Sequence, residues 1–274
     1  MAIHLVTLVG AEGWRTLEPM LEHYRGLGVE AFHVTLHLDS PVDPAREPVL
    51  DIVERFGCGL YETVEGQFAL VQREAYAKPR RDYPRDWFIL ADTDEFQRYP
   101  RDLRSITAEC EQNDWEYVRG ALVDRVADDG GFPELDPALT LDAQFPLGCI
   151  VTPVIQRSQP RKVTLVRGAI RVEYGQHEAL YGIGCPRDVA FVPVHHFKWN
   201  STAVESLRLR SAAFKEQGVV HWEKSRALVD HVEENGGRLD LELPGLLVGR
   251  CDPEYPHWEE YRNLLFAAET ETGG

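Results

Sequence analysis

The first third of the chain alternates between two spacings of hydrophobic residues. Apolar runs of strand length, the second of which alternates apolar and polar positions, occur at residues 3–9, 31–38, 59–64 and 87–91. Between these runs, apolar residues recur at helical spacing over residues 14–27, 45–56 and 67–78. Gly28 follows the first helical segment in a C-cap position. This β-α-β-α-β-α-β order predicts an α/β fold with a mostly parallel sheet flanked by helices.

The rest of the chain has fewer regular alternations. We predict strands over residues 117–126, 149–155, 162–166 and 190–194, with a Gly/Pro/Asp-rich loop over 128–148. Helical spacing then returns in three segments, which begin near residue 203, at Trp222 and near His257. We therefore expect one catalytic domain over residues 1–201 and a C-terminal helical extension over residues 202–274 packed on it.

Composition removes several classes of protein. With 29 basic and 45 acidic residues the net charge is −16, which argues against nucleic acid as a partner. No stretch approaches the ~18 apolar residues of a membrane span. The five scattered cysteines form no C-x-x-C, so neither a disulfide framework nor a zinc knuckle is expected. The start of the chain has no basic flank and predicts no secretory leader, so we expect a cytoplasmic location.

The most informative feature is an acidic cluster, Asp92-Thr93-Asp94-Glu95, directly after the apolar run Trp87–Ala91. Ligands of open α/β sheets bind outside the carboxyl ends of the strands. Two carboxylates at positions i and i+2 can reach one hard divalent cation, Mn²⁺ or Mg²⁺. The alternative interpretation is a solvated acidic turn, or an N-cap for the helix predicted over 101–112. Neither a G-x-G-x-x-G nor a P-loop sequence occurs in the chain.

The stretch Asp86–Phe96, DWFILADTDEF, resembles the "dW-hhh-x-D-x-DEF" segment of family 2-like glycosyltransferases of the GT-A fold. The resemblance extends over about residues 3–205. It implies a GT-A-type nucleotide-sugar-binding fold in which Asp92 and Asp94 bind a divalent metal. In that group the metal holds the diphosphate of the nucleotide sugar.

Three further stretches are similar to the same family. Ala11-Glu12 and Asp39-Ser40 resemble its opening pattern, although Ala11 replaces the usual Asn and no Asp follows Ser40 at the usual place. The stretch from His195 to Ser201 resembles a block that completes the metal site, which implies His196 as third ligand, with His195 as the adjacent alternative. Lys162 and His177 resemble a "K…(G)-x-H" pair of the group.

These matches lead to a predicted donor site. Glu12 and Asp39, near the ends of the first two strands, are expected to contact the nucleoside, because a carboxylate accepts both ribose hydroxyls or an imide N–H. That chemistry favours a UDP- or GDP-sugar. Asp92, Lys162 and His177 complete the predicted nucleotide-sugar contacts. Trp199 is predicted to offer an aromatic face to a sugar or to an acceptor ring.

The predicted reaction is sugar transfer from this donor to an acceptor hydroxyl on a small molecule or a soluble glycan. The resemblance implies inversion, and inversion needs a general base. Four carboxylates stay open for that role: Asp124, Asp142, Glu173 and Glu178. Asp124 follows a predicted core strand and Glu178 neighbours His177, so these two are preferred.

Other functions compete with this interpretation. A nucleotidyltransferase acting on a sugar phosphate is close in fold, but it needs a Gly-rich basic loop after its first strand, where this chain has only Arg15. A phosphatase with an aspartyl nucleophile carries its D-x-D on the first strand. A non-catalytic sugar-binding protein on the same fold is the third alternative.

Overall fold

The computed structural model describes residues 1–10, 13–38, 40, 42–65, 68–218 and 222–272. The chain forms two compact units. The first unit contains Met1–Ala121 and Arg161–Val194, and the second contains Leu122–Pro160 and the chain from His195 onwards. This division differs from the predicted boundary between residues 201 and 202, because residues 122–160 group with the C-terminal helices.

The described residues contain strands and helices in alternation. The strands are β1 (Ile3–Val9), β2 (Ala31–Leu38), β3 (Gly59–Glu65), β4 (Trp87–Leu90), β5 (Glu95–Gln97), β6 (Tyr117–Val126), β7 (Leu147–Cys149), β8 (Arg161–Arg167), β9 (Phe191–His196) and β10 (Gly249–Arg250). The helices are α1 (Trp14–Gly26), α2 (Arg46–Arg55), α3 (Phe68–Asp82), α4 (Leu103–Gln112), α5 (Leu141–Gln144), α6 (Val151–Val154), α7 (Ala203–Glu216), α8 (Trp222–Glu234) and α9 (Trp258–Thr272). A single 3₁₀ turn covers Tyr174–Gln176.

The sheet of the first unit confirms the predicted α/β class. Strands β3, β2, β1 and β4 lie side by side and are all parallel. Strand β8 then pairs antiparallel with β4, and the first half of β6 pairs antiparallel with β8. Every residue of β1 is buried, as expected for a central parallel strand. The carboxyl ends of the parallel strands therefore share one edge of the sheet.

One hydrophobic cluster joins helix α3 to this sheet. Its members come from β1, α3, β4, β8 and the turn after β8: Val6, Leu8, Ala75, Tyr76, Phe88, Leu90, Val163, Val166 and Ile170. The helical positions Ala75 and Tyr76 are buried against apolar residues of these strands. Packing of this kind fixes the position of α3 beside the end of β4.

The second unit has its own core. Strand β7 pairs antiparallel with the second half of β6 and with β10. Helices α7 and α8 contribute Leu207, Leu228 and Val232 to a cluster that also contains Trp199 and Leu246. The predicted C-terminal helices are thus present and belong to this core.

Residues 149–155, which we predicted as a strand, form a different structure. Strand β7 ends at Cys149 and the short helix α6 follows it. Pro153 offers no backbone N–H to a sheet, and Thr152 donates its backbone N–H to the Asp124 carboxylate at 2.7 Å. A short apolar run cannot be assigned from its pattern alone.

Two other expectations can be compared with the structure. The N-cap of α4 is Asp102, which accepts from the Ser105 N–H at 2.9 Å, so the acidic cluster at 92–95 does not cap this helix. Within the part of the chain that the structure describes, no helix is both long enough and apolar enough to cross a bilayer.

We predict that Gly120→Ala strongly destabilises the first unit. A Cβ at Gly120 would lie 2.1 Å from the Val192 carbonyl oxygen and 2.9 Å from the Thr164 methyl, so strands must separate. We expect a loss of about 3 kcal/mol or more in the free energy of unfolding, measured by urea denaturation. The control is Gly26→Ala at the end of α1, where no atom lies within 4 Å; we expect a change below about 1 kcal/mol there. Equal effects would contradict the strand packing at Gly120.

Candidate active site

The turn between β4 and β5 presents two carboxylates at the carboxyl edge of the parallel strands. Asp92 and Asp94 follow β4 directly and are both partly exposed, whereas Thr93 and Glu95 between and after them are buried. Strand β4 pairs in parallel with β1, so the turn lies where α/β sheets bind ligands. The Asp92 and Asp94 side chains are therefore accessible, and the buried residues Thr93 and Glu95 hold the backbone that carries them.

Helix α3 orients Asp92 through two side chains one turn apart. Gln72 Nε2 donates to Asp92 Oδ1 at 2.8 Å, and the Tyr76 hydroxyl lies 2.6 Å from the same oxygen. Both side chains are buried. Burial, and then the neighbouring Asp92 charge, raise the pKa of Tyr76 well above its ordinary range, so it stays a proton donor. These two neutral donors hold Oδ1 of Asp92 in place. Because the carboxylate is rigid, the position of Oδ2 is fixed as well.

The turn is also fixed from the β1–α1 side. The buried Tyr24 hydroxyl donates to the Glu95 carbonyl at 2.9 Å and accepts from the Gln97 N–H at 3.2 Å. A Cβ at Gly13 would meet Thr93 Oγ1 at 2.5 Å, so only glycine permits this close approach. The backbone that carries the two aspartates is therefore preorganised.

A buried ion pair joins this turn to the start of β8. Lys162 Nζ lies 2.7 Å from Glu95 Oε1, with both side chains almost fully buried. Burial alone would lower the pKa of Lys162, but the Glu95, Asp92 and Asp94 carboxylates outweigh it and raise that pKa above its ordinary value. The lysine is therefore charged at neutral pH and attracted by all three acids.

Lys162 also reaches the predicted Gly175-Gln176-His177 stretch. Its ammonium donates to the Gly175 carbonyl at 3.0 Å and to Gln176 Oε1 at 2.9 Å. His177 Nδ1 lies 2.8 Å from the Arg161 carbonyl. The structure thus brings together the D-x-DEF, Lys162 and His177 stretches, which are far apart in the chain. Gly175 adopts φ +77°, a conformation that favours glycine.

The charges of this cluster permit a cation. Three carboxylates and one ammonium, those of Asp92, Asp94, Glu95 and Lys162, sum to a formal −2. Among the described residues, no three His, Cys, Asp or Glu side chains converge into a complete metal site. Mg²⁺ is commonly held by one or two carboxylates together with substrate phosphates and water. The pair Asp92 and Asp94 fits that smaller requirement.

In the second unit Asp124 is completely buried and accepts four hydrogen bonds. Its Oδ2 accepts from the Thr152 N–H at 2.7 Å, and its Oδ1 lies 3.0 Å from the Thr152 hydroxyl. The same Oδ1 lies 3.1 Å from both His196 Nδ1 and Trp199 Nε1. These contacts describe a carboxylate that orients other side chains, while its role as general base stays a prediction.

The two adjacent histidines have opposite partners. His196 Nδ1 faces the Asp124 carboxylate, so this nitrogen donates and Nε2 carries the lone pair of the neutral ring. His195 Nδ1 lies 2.7 Å from Arg125 Nη1, so this nitrogen accepts and Nε2 carries the proton. A carboxylate behind a histidine is the usual second partner of a metal-ligating ring. The pattern favours His196 over His195 as a ligand, and that role stays a prediction.

The other predicted residues have varied environments. Trp199, which we predicted as an aromatic face for a sugar or an acceptor ring, is instead fully buried in the core of the second unit, so its ring packs against protein. Glu178 is exposed on the chain segment after the 3₁₀ turn. Glu12 and Asp39 lie outside the described residues, and their nucleoside contacts stay predictions.

Sequence reasoning missed the residues that support the site. Gln72 and Tyr76 lie at i and i+4 on one face of α3, but this spacing is also that of any buried helix face. Gln176 lies in the stretch before His177 that resembles the family, but the sequence predicted no role for it. The partnership of Glu95 with Lys162 could have been expected only from the rule that buried charges are paired.

No family model matches the chain and no curated protein matches it. Among solved structures, the chain is similar to S. aureus TarS 1–349 in complex with UDP-GlcNAc, at 14% identity over 89% of this chain and 77% of that chain, with a TM-score of 0.40. It is also similar to HddC from Yersinia pseudotuberculosis, at 12% identity and TM-score 0.29, covering 50% of this chain and 66% of that one. A third is core-mannan synthase A from Aspergillus fumigatus, at 10% identity and TM-score 0.27, over 48% and 44% of the two chains. All three similarities are distant.

We predict that Glu95→Gln lowers the free energy of unfolding by about 3–5 kcal/mol, because it leaves the buried Lys162 ammonium without its carboxylate partner. In a double-mutant cycle with Lys162→Met, the coupling should reach about 2–3 kcal/mol. The exposed pair Glu18–Arg55 is the control, with an expected coupling below about 1 kcal/mol. Equal couplings in the two cycles would refute a special role for the buried pair.

The same pair predicts a pH dependence. The folded pKa of Lys162 is raised, so its contribution is fully present below the ordinary value of 10.5 and is lost as the pH rises through the raised pKa. The difference in stability between the wild type and Lys162→Met should therefore persist through neutral and mildly alkaline pH and shrink in strongly alkaline solution, as urea denaturation at a series of pH values can show.

Asp124→Asn is predicted to destabilise the protein by about 3 kcal/mol. Both carboxylate oxygens of Asp124 accept hydrogen bonds, so the new amide N–H₂ group would face a donor and that hydrogen bond would be lost. The thermal midpoint should fall accordingly. Glu178→Gln, on an exposed side chain, should change stability by less than about 0.5 kcal/mol. If Asp124→Asn kept the wild-type midpoint and lost activity alone, the orienting role would be untenable and a direct catalytic role favoured.

Proposed function

We propose that this protein is a divalent-metal-dependent glycosyltransferase that moves a sugar from a nucleotide-diphosphate sugar to an acceptor hydroxyl with inversion. One observation carries the proposal. Two partly exposed aspartates stand at the carboxyl end of a central parallel strand, on a turn fixed by the buried Lys162–Glu95 pair. The resemblance of DWFILADTDEF to family 2-like glycosyltransferases gives this geometry its chemical meaning.

The first step is capture of the donor. Asp92 and Asp94 would hold Mn²⁺ or Mg²⁺, which supplies Lewis-acid stabilisation to the departing diphosphate. Gln72 and Tyr76 keep Asp92 in one orientation, so the carboxylate pays little entropy when it binds. The formal −2 of the turn and Lys162 matches one divalent cation, and the positive Lys162 ammonium reduces repulsion of the donor phosphates. Glu12 and Asp39 are proposed to contact the nucleoside.

The second step is displacement at the anomeric carbon. The acceptor oxygen forms a bond to that carbon while the bond to the diphosphate oxygen breaks, and the nucleoside diphosphate leaves. The hydroxyl proton passes to a carboxylate of this chain. Of the two preferred candidates, Glu178 is exposed and can meet an acceptor, whereas Asp124 is buried. We therefore favour Glu178 as the base, with its neighbour His177 beside the donor.

The test is hydrolysis and transfer with a panel of UDP- and GDP-sugars, with and without Mn²⁺. Asp94→Asn should reduce the Mn²⁺-dependent rate by about a hundredfold, since it removes a charged ligand. Tyr76→Phe should raise the Mn²⁺ concentration for half-maximal rate by about tenfold, because Asp92 loses a supporting hydroxyl. Asp188→Asn, on an exposed aspartate outside the site, should leave both quantities unchanged.

Several results would contradict the proposal. Asp94→Asn with the wild-type metal response would remove the assigned ligand. Release of pyrophosphate from a nucleoside triphosphate and a sugar phosphate would identify a nucleotidyltransferase. Binding of nucleotide sugar without turnover would identify a sugar-binding protein. Retention at the anomeric carbon, detected by NMR of the product, would overturn the general-base step.

A further inference from the structure

The first unit contains a basic cavity whose charged side chains have no role in orienting the metal-binding carboxylates of the proposed reaction. The cavity has a volume of about 630 Å³ and lies between α3 and residues 168–181. Four arginines line it, Arg73, Arg80, Arg81 and Arg171, together with two glutamates, Glu74 and Glu173. Their formal charge is +2, in a chain whose net charge is −16. A local excess of guanidinium groups against such a background indicates recognition of an anion.

Arg80 is the buried cation of this cavity. Its side chain is 6% exposed, its Nη2 donates to the Ile170 carbonyl, and its Nε has no hydrogen-bond partner. No carboxylate among the described residues pairs with Arg80. Burial lowers the pKa of Arg80 to about 10, so the group is still protonated at neutral pH. A buried, uncompensated guanidinium is costly and becomes favourable when an anion binds beside it.

The walls of the cavity are held in place by backbone contacts. The Gly168 N–H donates to the Asp86 carbonyl at 3.0 Å, and the Ala169 N–H donates to the Pro84 carbonyl at 3.0 Å. A Cβ at Gly168 would lie 2.4 Å from the Tyr83 carbonyl oxygen, so glycine permits this approach. The Tyr181 hydroxyl donates to the Ala169 carbonyl at 2.7 Å. The cavity is therefore preformed, which lowers the entropy that a ligand must overcome.

Part of the lining is apolar or aromatic. Leu90 and Val172 contribute aliphatic surface, and Tyr76 and Tyr181 contribute aromatic surface. The volume falls within the roughly 300–1,000 Å³ that small-molecule sites occupy. A bare inorganic ion would fill little of this space. The arrangement suits a charged group attached to a small organic body.

We propose that this cavity binds a small organic molecule that carries a phosphate monoester. Arginine pairs with phosphate through two parallel N–H donors, and the +2 of the lining complements the charge of about −1.5 to −2 that a phosphate monoester carries at neutral pH. Arg80 and Arg171 hold the phosphate, and the tyrosine and aliphatic side face the organic body. This inference goes beyond the proposed transfer reaction and does not depend on it.

The cavity shares two side chains with the candidate active site. Gln72 and Tyr76 line the cavity and also hold Asp92 Oδ1. A ligand that fills the cavity would therefore contact the residues that position Asp92. Phosphate recognition by guanidinium groups needs no metal, so the two sites are separable by experiment.

The test is calorimetric titration of the whole chain with glucose 6-phosphate in a metal-free, phosphate-free buffer of low ionic strength. Glucose and inorganic phosphate are titrated in parallel. We expect glucose 6-phosphate to bind, glucose to give no heat, and inorganic phosphate to bind at least tenfold more weakly. Asp94→Asn should bind the sugar phosphate as the wild type does, which separates this result from any failure of the proposed transferase function.

Variants of opposite charge sharpen the test. Arg171→Gln should weaken binding about tenfold, since it removes one charge-assisted contact. Glu173→Gln, which removes a negative charge from the same lining, should tighten binding severalfold. Arg210→Gln carries the same charge change as Arg171→Gln on an exposed residue outside the cavity and should have no effect. Arg171, Glu173 and Arg210 are all exposed, so these substitutions do not leave a void in the core as truncation of the buried Arg80 would.

Three results would overturn the proposal. The first is the absence of heat with glucose 6-phosphate up to millimolar concentration. The second is an equal response of Arg171→Gln and Arg210→Gln, which would reduce the effect to net charge. The third is equally tight binding of inorganic phosphate, which would remove the organic body from the recognised ligand.

Discussion

The buried pair of Lys162 and Glu95 is the interaction on which the first unit's candidate site depends. It connects the start of strand β8 to the β4–β5 turn, and the same ammonium donates to the Gly175 carbonyl and to Gln176 Oε1. A buried pair is stabilising only when its remaining hydrogen-bonding capacity is satisfied, and here three acceptors surround one ammonium. The pair thereby sets the position of the turn that carries Asp92 and Asp94. It compensates one of three carboxylates, which leaves the turn with a formal charge of −2 together with Lys162.

Environment separates the roles of two aspartates that the sequence presents alike. Asp92 is partly exposed, and neutral donors from α3 hold one of its oxygens. Asp124 is fully buried, and donors from Thr152, His196 and Trp199 occupy both of its oxygens. The first carboxylate can therefore accept a new ligand, whereas the second already organises its surroundings. Hydrogen-bond satisfaction, more than residue type, decides which carboxylate is available for chemistry.

The sequence predicts those features that depend on local periodicity. The fully buried β1 and the alternating β2 were assigned with their observed limits, because an apolar run and a period of two are local signals of a strand. The alternation of β2 did not predict its burial, since its polar residues Thr35 and His37 are buried as well. The three-residue β5 and the Cys149–Ile155 segment were missed or misassigned, since their structure depends on partners distant in the chain. Burial of Trp199 and the approach of Gln72 to Asp92 are likewise tertiary. A resemblance to a family could point to Lys162 and His177, but it could not supply the Glu95 contact.

Net charge is the property that local structure most clearly overrides. At −16, the average of the chain predicts repulsion of a polyanion, yet one cavity of the first unit has a lining of +2. Electrostatic attraction is decided within about one Debye length, ~8–10 Å in physiological salt, so the nearest groups outweigh the sum over the chain. The same unit also carries the acidic turn, where the proposed donor phosphate would be received through a divalent cation. The two proposed sites would thus bind phosphate by opposite means, directly through guanidinium groups in the cavity and through a metal at the carboxylates. The charges around each site decide whether binding would require a divalent metal.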